Sequence, residues 1–421
     1  MEYCLRCTLP ENTRPTLYID SEGICSGCRF IETKRGISVD YAEKKRELAD
    51  LLETYKSKAR ERGQHYDCII PISGAKDSHY QADVITNEYG LHPLYVCFND
   101  LFNSRVGKRN LDSFMKCFQG DLIRVTPNPK SVKKIMNYML RRCGDITWHS
   151  HAGIFTAPFQ LAVKYDIPLI IYGESGYGES FGMYRAEDMP EFSTWKRQEH
   201  DMRGITPASV VSDEASGISA RDLALYDFPT VADIERVGVR GIYLANYVPW
   251  DQWDNTKKMI EKYNFGTLKT PRDRTDNLFT KIDSHADDVH DYLSFLKFGY
   301  GRSTRHTTYD IREGRISREK AIDLIAQYDH IRPSTLDTYL RFMGITEKEF
   351  EDAIEHLRDP SIWEKDQDGR WRRNDSIVNH KYDPGVDDAR LPQQSTIYNL
   401  KNDNWEYPSR RQLEDKDFIL I

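Results

Sequence analysis

Short apolar runs alternate with longer amphipathic stretches over residues 65–172. The apolar runs have the length of strands buried on both faces, and they lie at 67–72, 93–98, 122–126 and 167–172. The stretches between them carry apolar residues at helical spacing, at 78–89, 107–119, 129–142 and 153–165. This alternation predicts an α/β fold, with a parallel sheet and helices on both faces. Ligands bind such sheets at the carboxyl ends of the strands.

The flanking regions follow other patterns. Residues 40–62 are charged, carry apolar side chains at helical spacing, and predict one amphipathic helix. Beyond about residue 245 helical stretches recur without clear strands, at 252–263, 286–298, 317–328, 334–343 and 346–357. The tail, 360–421, is rich in Asp, Asn, Arg and Pro. We expect the tail to wrap the core or to pair with another subunit.

Four of the eight cysteines form two Cys-x-x-Cys pairs near the N-terminus, namely Cys4, Cys7, Cys25 and Cys28. Two such pairs match tetrahedral zinc–sulfur coordination, and four sulfurs leave no open position for chemistry. The pairs therefore predict a structural Zn²⁺ site. Together with the periodicity, they divide the chain into a zinc ribbon at 1–35, a linker helix at 36–64, the α/β domain at 65–245, and a mostly helical C-terminal region with the tail at 246–421.

The segment 73–78 reads Ser-Gly-Ala-Lys-Asp-Ser and follows directly after an apolar run. A strand, a glycine loop and a helix N-terminus favour an anion, because free backbone N–H groups and the helix dipole both attract it. The segment lacks the spacing of a Walker A motif. It resembles the PP-loop, Ser-Gly-Gly-x-Asp-Ser, of ATP pyrophosphatases with an adenine-nucleotide alpha-hydrolase-like fold. Ala75 departs from that pattern, and it fits if its φ is negative.

The resemblance to the PP-loop implies that ATP is bound here and cut between its α and β phosphates. The residues expected to hold the nucleotide are those of the loop, Ser73, Gly74, Ala75, Lys76, Asp77 and Ser78. Lys76 and Asp77 are the expected catalytic residues, because Lys76 and a Mg²⁺ ion held by Asp77 would neutralise the charge that develops as pyrophosphate departs. The alternative is a strand-turn-helix with ordinary capping by Ser73 or Asp77.

Two further polar loops follow predicted strands. Asn99 follows 93–98, where we expect contact with a nucleotide base or ribose. Glu174 and Glu179 flank glycines after 167–172. We expect Glu174 to hold Mg²⁺ opposite Asp77, since Mg²⁺ prefers one or two carboxylates plus phosphate oxygens, and Glu179 to face the substrate. The alternative is a solvated acidic loop.

Arginines, a histidine and glycines alternate over residues 297–315, before a clear helix. Arginine forks bind phosphate in a bidentate manner, so the segment is interpreted as a loop that closes on phosphate, whereas a solvated arginine cluster is the alternative. The residues assigned to substrate binding in this segment are Arg302, His306, Asp310 and Arg312.

The order of these motifs resembles the N-acetyl sugar amidotransferase family of surface-polysaccharide, lipopolysaccharide and flagellin-glycan pathways. The motifs are the two cysteine pairs, the 73–78 loop, Gly-Glu-x-Gly at 173–176, and Gly-Arg-x-Thr-x-His followed by Asp-Ile-Arg-x-Gly at 301–314. The resemblance implies that an acetamido group on a nucleotide-linked or free sugar becomes an acetamidino group. It also implies ammonia from a separate glutaminase subunit, delivered through a channel subunit similar to the histidine-pathway cyclase. We expect these partners to dock on the zinc ribbon and on exposed aromatic residues at 247–250.

Charge and hydropathy narrow the classes of ligand and the cellular locations that the sequence allows. The formal net charge is −7, which disfavours nucleic acid as the main ligand. No apolar stretch is long enough for a membrane span, and the N-terminus lacks a signal-peptide pattern, so we expect a cytoplasmic protein. A PP-loop enzyme that modifies tRNA, and a non-catalytic nucleotide-binding scaffold, are the rival interpretations. The sequence leaves a homo-oligomer open.

Overall fold

A five-stranded parallel sheet forms the centre of the computed structural model, which describes residues 1–14, 17–36, 39–174, 176, 180–183, 189–393 and 400. The strands are β1 Cys68–Pro71, β2 Pro93–Phe98, β3 Asp121–Val125, β4 Leu169–Tyr172 and β5 Arg240–Tyr243. Their order is β3-β2-β1-β4-β5, and each adjacent pair is parallel. The predicted α/β class is confirmed. Strand β5 was not predicted, because it is four residues long and includes an arginine and a glycine.

Helices precede the sheet and connect its strands. They are α1 Ser26–Gly36, α2 Tyr41–Glu61, α3 Lys76–Ala82, α4 Arg105–Cys117, α5 Pro129–Cys143, α6 Trp148–Tyr165, α7 Thr194–Lys196, α8 Pro207–Val211, α9 Ala220–Leu223 and α10 Val231–Val237. Helices α3 and α7 continue as π-helical segments, Asp83–Glu88 and Arg197–Asp201. Helix α2 is the predicted linker helix, and the Asp40 carboxylate caps it by accepting hydrogen bonds from two backbone N–H groups.

The C-terminal region is largely helical, as predicted. Its helices are α11 Gln252–Tyr263, α12 Ala286–Phe298, α13 Arg302–Arg312, α14 Arg318–Tyr328, α15 Leu336–Met343 and α16 Glu347–Ile354. Two predictions for this region are wrong. The arginine-rich segment is the helix α13 and not a loop, and a short antiparallel hairpin follows α16, formed by β6 Trp363–Lys365 and β7 Trp371–Arg373. Short 3₁₀ segments occur at Glu214–Ser216, Ala224–Tyr226, Leu244–Asn246, Glu355–Leu357 and Ile377–His380.

Apolar clusters cover both faces of the sheet. Alternate residues of one strand point to opposite faces, so Ile70 packs with side chains of α2, α3, α4 and α11, while Ile69 packs with α5 and α6. Helix α5 also packs against α12, α15 and α16, which joins the C-terminal region to the sheet. Tyr247 and Val248 are buried in the first of these clusters, so Tyr247 is not the exposed aromatic residue expected at 247–250. Docking of partner subunits on this stretch stays a prediction.

The N-terminal module brings the four predicted cysteines together. The first pair lies in the loop closed by an isolated antiparallel bridge between Tyr3 and Pro10, whereas Cys28 lies in the first turn of α1. Cys25 itself pairs with Ile19 in a second isolated antiparallel bridge, directly before α1. The described part of the tail covers this module, because the Tyr3 and His380 rings lie 4.5 Å apart and Arg6 Nε donates to the Ala389 carbonyl at 3.2 Å.

Among the described residues, no helix combines the length and the apolar character that a membrane span requires.

Candidate active site

The 73–78 loop lies at the carboxyl end of β1, the central strand. Strand β1 pairs with β2 on one side and with β4 on the other. The strands before and after this point run outward in opposite directions, so the loop lies where the strand order reverses. Gly74 has a φ of +85°, and a Cβ there would lie 2.9 Å from the backbone of Leu111. Ala75 has a φ of −71°, as its methyl group requires. The loop therefore tolerates alanine at its second small position and requires glycine at its first.

Side chains of the loop fix its shape and leave a charged pair at its centre. Ser78 Oγ accepts a hydrogen bond from the Ser73 amide at 3.0 Å, and Ser73 Oγ accepts from the Ala75 amide at 3.3 Å. Lys76 is only 3% exposed, and its Nζ lies 2.5 Å from Asp77 Oδ2. Asp77 Oδ1 is buried and makes no hydrogen bond within the described residues. A carboxylate oxygen in this state fits a cation, because an unpaired buried charge is costly.

Asn99 follows β2 and is buried. Its side-chain oxygen accepts hydrogen bonds from the Leu101 amide at 3.0 Å and from Asn103 Nδ2 at 2.7 Å. These bonds hold Leu101 at a φ of +73°, which a branched side chain rarely adopts. Such strain concentrates at functional sites. Contact of Asn99 with a nucleotide base or ribose stays a prediction.

A segment of the C-terminal region, 281–291, approaches the loop. The Asp283 side chain accepts a hydrogen bond from Ser73, and the Asp283 carbonyl accepts one from the Ser104 amide at 2.9 Å. Ser284 donates to the Asp100 carboxylate, and Lys281 has a φ of +57°. The segment thus connects the ends of β1 and β2 to the helical region.

Asp100 and Asp283 are functional candidates that the sequence analysis missed. Burial raises the pKa of Asp100 to about 6, and burial together with Asp287 raises the pKa of Asp283. Groups with perturbed pKa values in a cleft are frequent at active sites. Two sequence features point to them: Asp100 follows Asn99 directly, and residues 283–288 read Asp-Ser-His-Ala-Asp-Asp before a helix.

Arg302 and His306 lie in the first turns of α13. Arg302 binds Asp291 in a bidentate manner, at 2.6 and 2.9 Å. His306 Nδ1 lies 2.8 Å from Thr275 Oγ1, and its buried Nε2 makes no hydrogen bond within the described part of the chain. Burial, then Arg302 and other cations that include Lys76, hold the pKa of His306 well below its usual range. His306 is therefore neutral and lies near the 73–78 loop.

The N-terminus of α13 is occupied by a carboxylate of the protein itself. Asp329 accepts hydrogen bonds from the amides of Gly301 and Ser303 at 2.8 Å, and from the Thr304 hydroxyl at 2.5 Å. The amides of Gly301 and Ser303, which a phosphate would need in the predicted loop, therefore already have an acceptor within the protein. The predicted closing loop is replaced by a buried, capped helix.

Asp310 and Arg312 lie at the other end of α13, about 12 and 15 Å from Arg302 along the helix axis. Asp310 Oδ1 accepts from Trp253 Nε1 at 2.8 Å, and burial raises the pKa of Asp310 to about 7. Arg312 contacts the Sγ atoms of Cys25 and Cys28, both at 3.3 Å. The four residues do not converge on one ligand in this helix. Substrate binding by any of them stays a prediction.

The four cysteines form one buried cluster with Sγ atoms within 4.8 Å of one another. Cys4 and Cys28 are 3.9 Å apart, and Cys7 and Cys25 are 3.7 Å apart. A tetrahedral ion with Zn–S bonds of about 2.3 Å places its sulfurs about 3.8 Å apart. The thiols therefore fit Zn²⁺, which would fix the module and supply no chemistry.

Glu174 follows β4 at the same edge of the sheet as the 73–78 loop. Its charge acts on Lys196, whose Nζ lies 2.7 Å from the Tyr243 hydroxyl. A role of Glu174 in binding Mg²⁺ stays a prediction. Glu179 lies outside the described residues.

Comparison with known proteins concerns mainly the C-terminal region. Residues 258–377 match the family model described as LPS biosynthesis protein WbpG-like, C-terminal domain. No curated protein matches the chain. Among solved structures, NMN synthetase from Francisella tularensis is similar over 48% of this chain and 92% of that chain, at 12% identity and a TM-score of 0.22. NAD⁺ synthetase from Burkholderia pseudomallei is similar over 59% and 96%, at 14% identity and a TM-score of 0.25.

TM-scores this low do not establish a common fold, and the assignment of the fold rests on the sheet order. The matched residues, 258–377, include the 281–291 segment beside the 73–78 loop and the whole of α13. The C-terminal region of this chain is therefore similar to that of WbpG-like LPS biosynthesis proteins, which confirms the resemblance to surface-polysaccharide enzymes predicted from the order of the motifs.

Proposed function

We propose that this chain is an ATP-dependent, AMP-forming amidotransferase that converts the acetamido group of a sugar into an acetamidino group during surface-glycan biosynthesis. One observation carries the proposal. A 73–78 loop with the PP-loop pattern lies at the strand-order reversal, and a segment similar to WbpG-like LPS biosynthesis proteins contacts it through Ser73 and Asp283. The loop supports ATP chemistry, and the segment supports a glycan substrate.

The loop has the groups that a departing pyrophosphate requires. The first turn of α3 favours an anion, and Lys76 supplies a buried positive charge. The unpaired Asp77 Oδ1 fits Mg²⁺, with Glu174 as the proposed second carboxylate. Bound Mg²⁺ would supply charge neutralisation on the phosphates. Lys76 would hold the β-phosphate side of the leaving group in the same way.

The proposed chemistry uses no protein nucleophile. The acetamido oxygen attacks the α-phosphorus of ATP, and the bond from that phosphorus to the bridging oxygen breaks with release of pyrophosphate. Ammonia then adds to the activated carbon, and the carbon–oxygen bond breaks with release of AMP. Adenylation is needed because an amide carbonyl is a poor electrophile. The Arg302–Asp291 pair and neutral His306 are proposed to line the sugar side of the site.

The ammonia is proposed to come from a separate glutaminase through a channel subunit similar to the histidine-pathway cyclase. The support is the sequence, which shows no glutaminase signature over its 421 residues. The purified chain is therefore expected to use ammonium chloride and not glutamine. Release of ammonia from glutamine by the single chain would contradict this part of the proposal.

The experiment supplies the purified chain with ATP, Mg²⁺, ammonium chloride and either UDP-N-acetylglucosamine or N-acetylneuraminate. We expect AMP and pyrophosphate, together with a sugar whose mass shows exchange of oxygen for NH. Asp77→Asn should slow turnover on the order of a hundredfold, whereas the same change at exposed Asp112 should have no effect. ADP and phosphate as products, or AMP release only with tRNA, would refute the proposal.

A further inference from the structure

A carboxylate–imidazole pair lies between α6 and α12, apart from the residues discussed so far. Asp145 is fully buried before α6, and His290 lies on α12. The Thr147 hydroxyl donates to Asp145 Oδ1 at 2.7 Å, and its oxygen lies 2.9 Å from His290 Nδ1. His290 Nδ1 also lies 3.3 Å from Asp145 Oδ1. Segments 145 residues apart thus meet in one hydrogen-bonded chain.

These contacts fix the position of the imidazole proton. The hydroxyl proton of Thr147 is directed at Asp145, so its oxygen accepts from His290. In its neutral form His290 therefore carries its proton on Nδ1 and a lone pair on Nε2. Within the residues that the structure describes, Nε2 makes no hydrogen bond. A carboxylate that orients a histidine in this way is the arrangement of a general base.

Charges around the pair keep Asp145 ionised. Burial alone would raise the pKa of Asp145, but Arg203, whose Nε lies 3.0 Å away, and then His290 hold that pKa well below its usual range. The ring of His151 stands 5.7 Å from that of His290, at 76°. Burial lowers the pKa of His151 to about 3, so this neighbour is neutral. A fixed anion therefore lies behind Nδ1.

The pair lies at the same edge of the sheet as the 73–78 loop. The first turn of α6 contacts the end of β2, since His149 Nε2 lies 3.4 Å from the Asp100 carbonyl. The residue after His290 is Asp291, which holds Arg302. Lys281, two residues before Asp283 and its contact with Ser73, is close enough for its charge to act on His151.

We propose that His290 is the general base of the amidine-forming step, with Asp145 and Thr147 as positioning residues. This inference rests on the proposed function. The lone pair of ammonia forms the C–N bond to the adenylated acetamido carbon, and His290 Nε2 then takes one N–H proton from the ammonium centre. The C–O bonding pair departs with AMP, and the proton passes to solvent. Without this transfer, the protonated amine leaves more readily than AMP and the step reverses.

The test separates the two half-reactions. Adenylation is followed by exchange of labelled pyrophosphate into ATP with UDP-N-acetylglucosamine or N-acetylneuraminate and no ammonia, and amidination by mass spectrometry after ammonium chloride is added. His290→Asn keeps an N–H group toward Thr147 but has no base. We expect its exchange rate to stay within about twofold and its amidination to fall about 10²–10⁴-fold. Added imidazole should restore part of the amidination.

A conservative pair tests the positioning role. Thr147→Val, which removes the hydroxyl, should lower the kcat of amidination without changing the KM for ATP. Thr147→Ser keeps the hydroxyl and should retain the wild-type kcat. The matched control is His92→Asn at an exposed histidine before β2, which should leave both half-reactions unchanged.

Three results would overturn the inference. In the first, exchange and amidination fall together in His290→Asn, which marks a structural role. In the second, amidination is unaffected in that variant while the wild type is active. In the third, the wild type forms no AMP with either sugar, which refutes the proposed function as well. Failure of the proposed function is therefore seen in the wild type, whereas failure of the base role alone is seen only in His290→Asn.

Discussion

Two adjacent small residues, Gly74 and Ala75, have opposite requirements. Gly74 occupies the left-handed region, and its missing Cβ makes room for the backbone of Leu111 on α4. Ala75 has an ordinary negative φ and tolerates its methyl group. The position that departs from the PP-loop pattern is therefore the one at which the backbone allows a side chain.

Gly74→Ala should destabilise the chain by about 1–3 kcal/mol, because alanine is strained at this φ and its Cβ collides with backbone. It should also weaken ATP binding, since the collision moves the loop. Chemical denaturation and calorimetric titration with ATP measure the two effects. The matched change, Ala75→Gly, should cost less than about 1 kcal/mol and leave ATP binding intact. Equal stability losses in both variants would contradict the account of the loop.

Asp100 is held in a state that favours its protonated form. Burial raises its pKa to about 6 in the folded chain, against an ordinary value of 3.8. The folded state therefore binds the proton more tightly than the unfolded state. Stability from this group is lost as the pH rises from about 4 to 6, and it does not return above that range. A buried carboxyl group that lowers the stability of the fold at neutral pH is consistent with a functional role.

Asp100→Asn should remove this loss, because the amide does not titrate. Relative to wild type, its free energy of unfolding should rise by up to about 3 kcal/mol between pH 4 and pH 7. Urea denaturation at several pH values measures the difference, with Asp112→Asn as the exposed control. A difference that stays constant with pH would show that Asp100 is ionised like an ordinary surface carboxylate.

At the scale of elements, α13 shows how a distant residue overrides a local sequence. Its first six residues read Arg-Ser-Thr-Arg-His-Thr, which are mostly weak helix formers. The helix is stabilised by Asp329 at the end of α14, which satisfies the amides at its N-terminus. Two arginines of α13 are buried at its opposite ends and contact different partners. Arg302 binds Asp291, and Arg312 contacts the cysteine cluster.

Asp329→Asn should lower the free energy of unfolding by about 1–3 kcal/mol, because the amide nitrogen replaces an acceptor that faces the Gly301 N–H. Chemical denaturation measures the loss. Asp337→Asn provides the control, since Asp337 is exposed and pairs only at the surface with Arg332, and it should change stability by less than about 0.5 kcal/mol. Similar losses in both variants would contradict the capping role.

What the sequence predicts well is local, and what it misses is long-range. The alternation of apolar runs and the Gly-punctuated 73–78 loop predict the sheet and the nucleotide edge, because both depend on neighbouring residues. The capping of α13 by Asp329 is not visible in the segment that it stabilises. The meeting of Asp145 with His290, and of Ser73 with Asp283, depends likewise on tertiary packing. The hydrophobic periodicity around either residue of such a pair does not predict the contact.

At the scale of the whole molecule, the cysteine cluster joins three parts of the chain. Arg312 of α13 contacts its sulfurs, Ser26 donates to the carbonyl of Phe181 after β4, and the tail packs on Tyr3. A Cβ on Gly27 would collide with the Arg312 guanidinium, so the approach is close. The N-terminal module thus contacts the region beyond β4 together with the C-terminal helices.

Removal of zinc should therefore affect distant residues. We expect a strong chelator, or Cys25→Ser, to lower the zinc content and the melting temperature, because thiolate ligation is coupled to folding. Hydrogen exchange should increase at 377–390 as well as at 1–36. Cys117→Ser, at an exposed cysteine outside the cluster, is the matched control. Full zinc occupancy in Cys25→Ser, or unchanged exchange in the tail, would contradict this coupling.

The partners of the cysteine cluster also set an order of assembly during synthesis. Cys25 meets Arg312 across 287 residues, Cys7 meets Arg318 across 311, and Arg6 meets Ala389 across 383. At roughly 5–20 residues per second, the ribosome makes the last of these partners tens of seconds after the thiols emerge. Throughout that interval the sulfurs are without the arginines and the tail that enclose them in the folded chain. The cysteine cluster is therefore among the last parts of the chain to be enclosed, and a metal ion bound during synthesis would reach sulfurs that are still exposed to solvent.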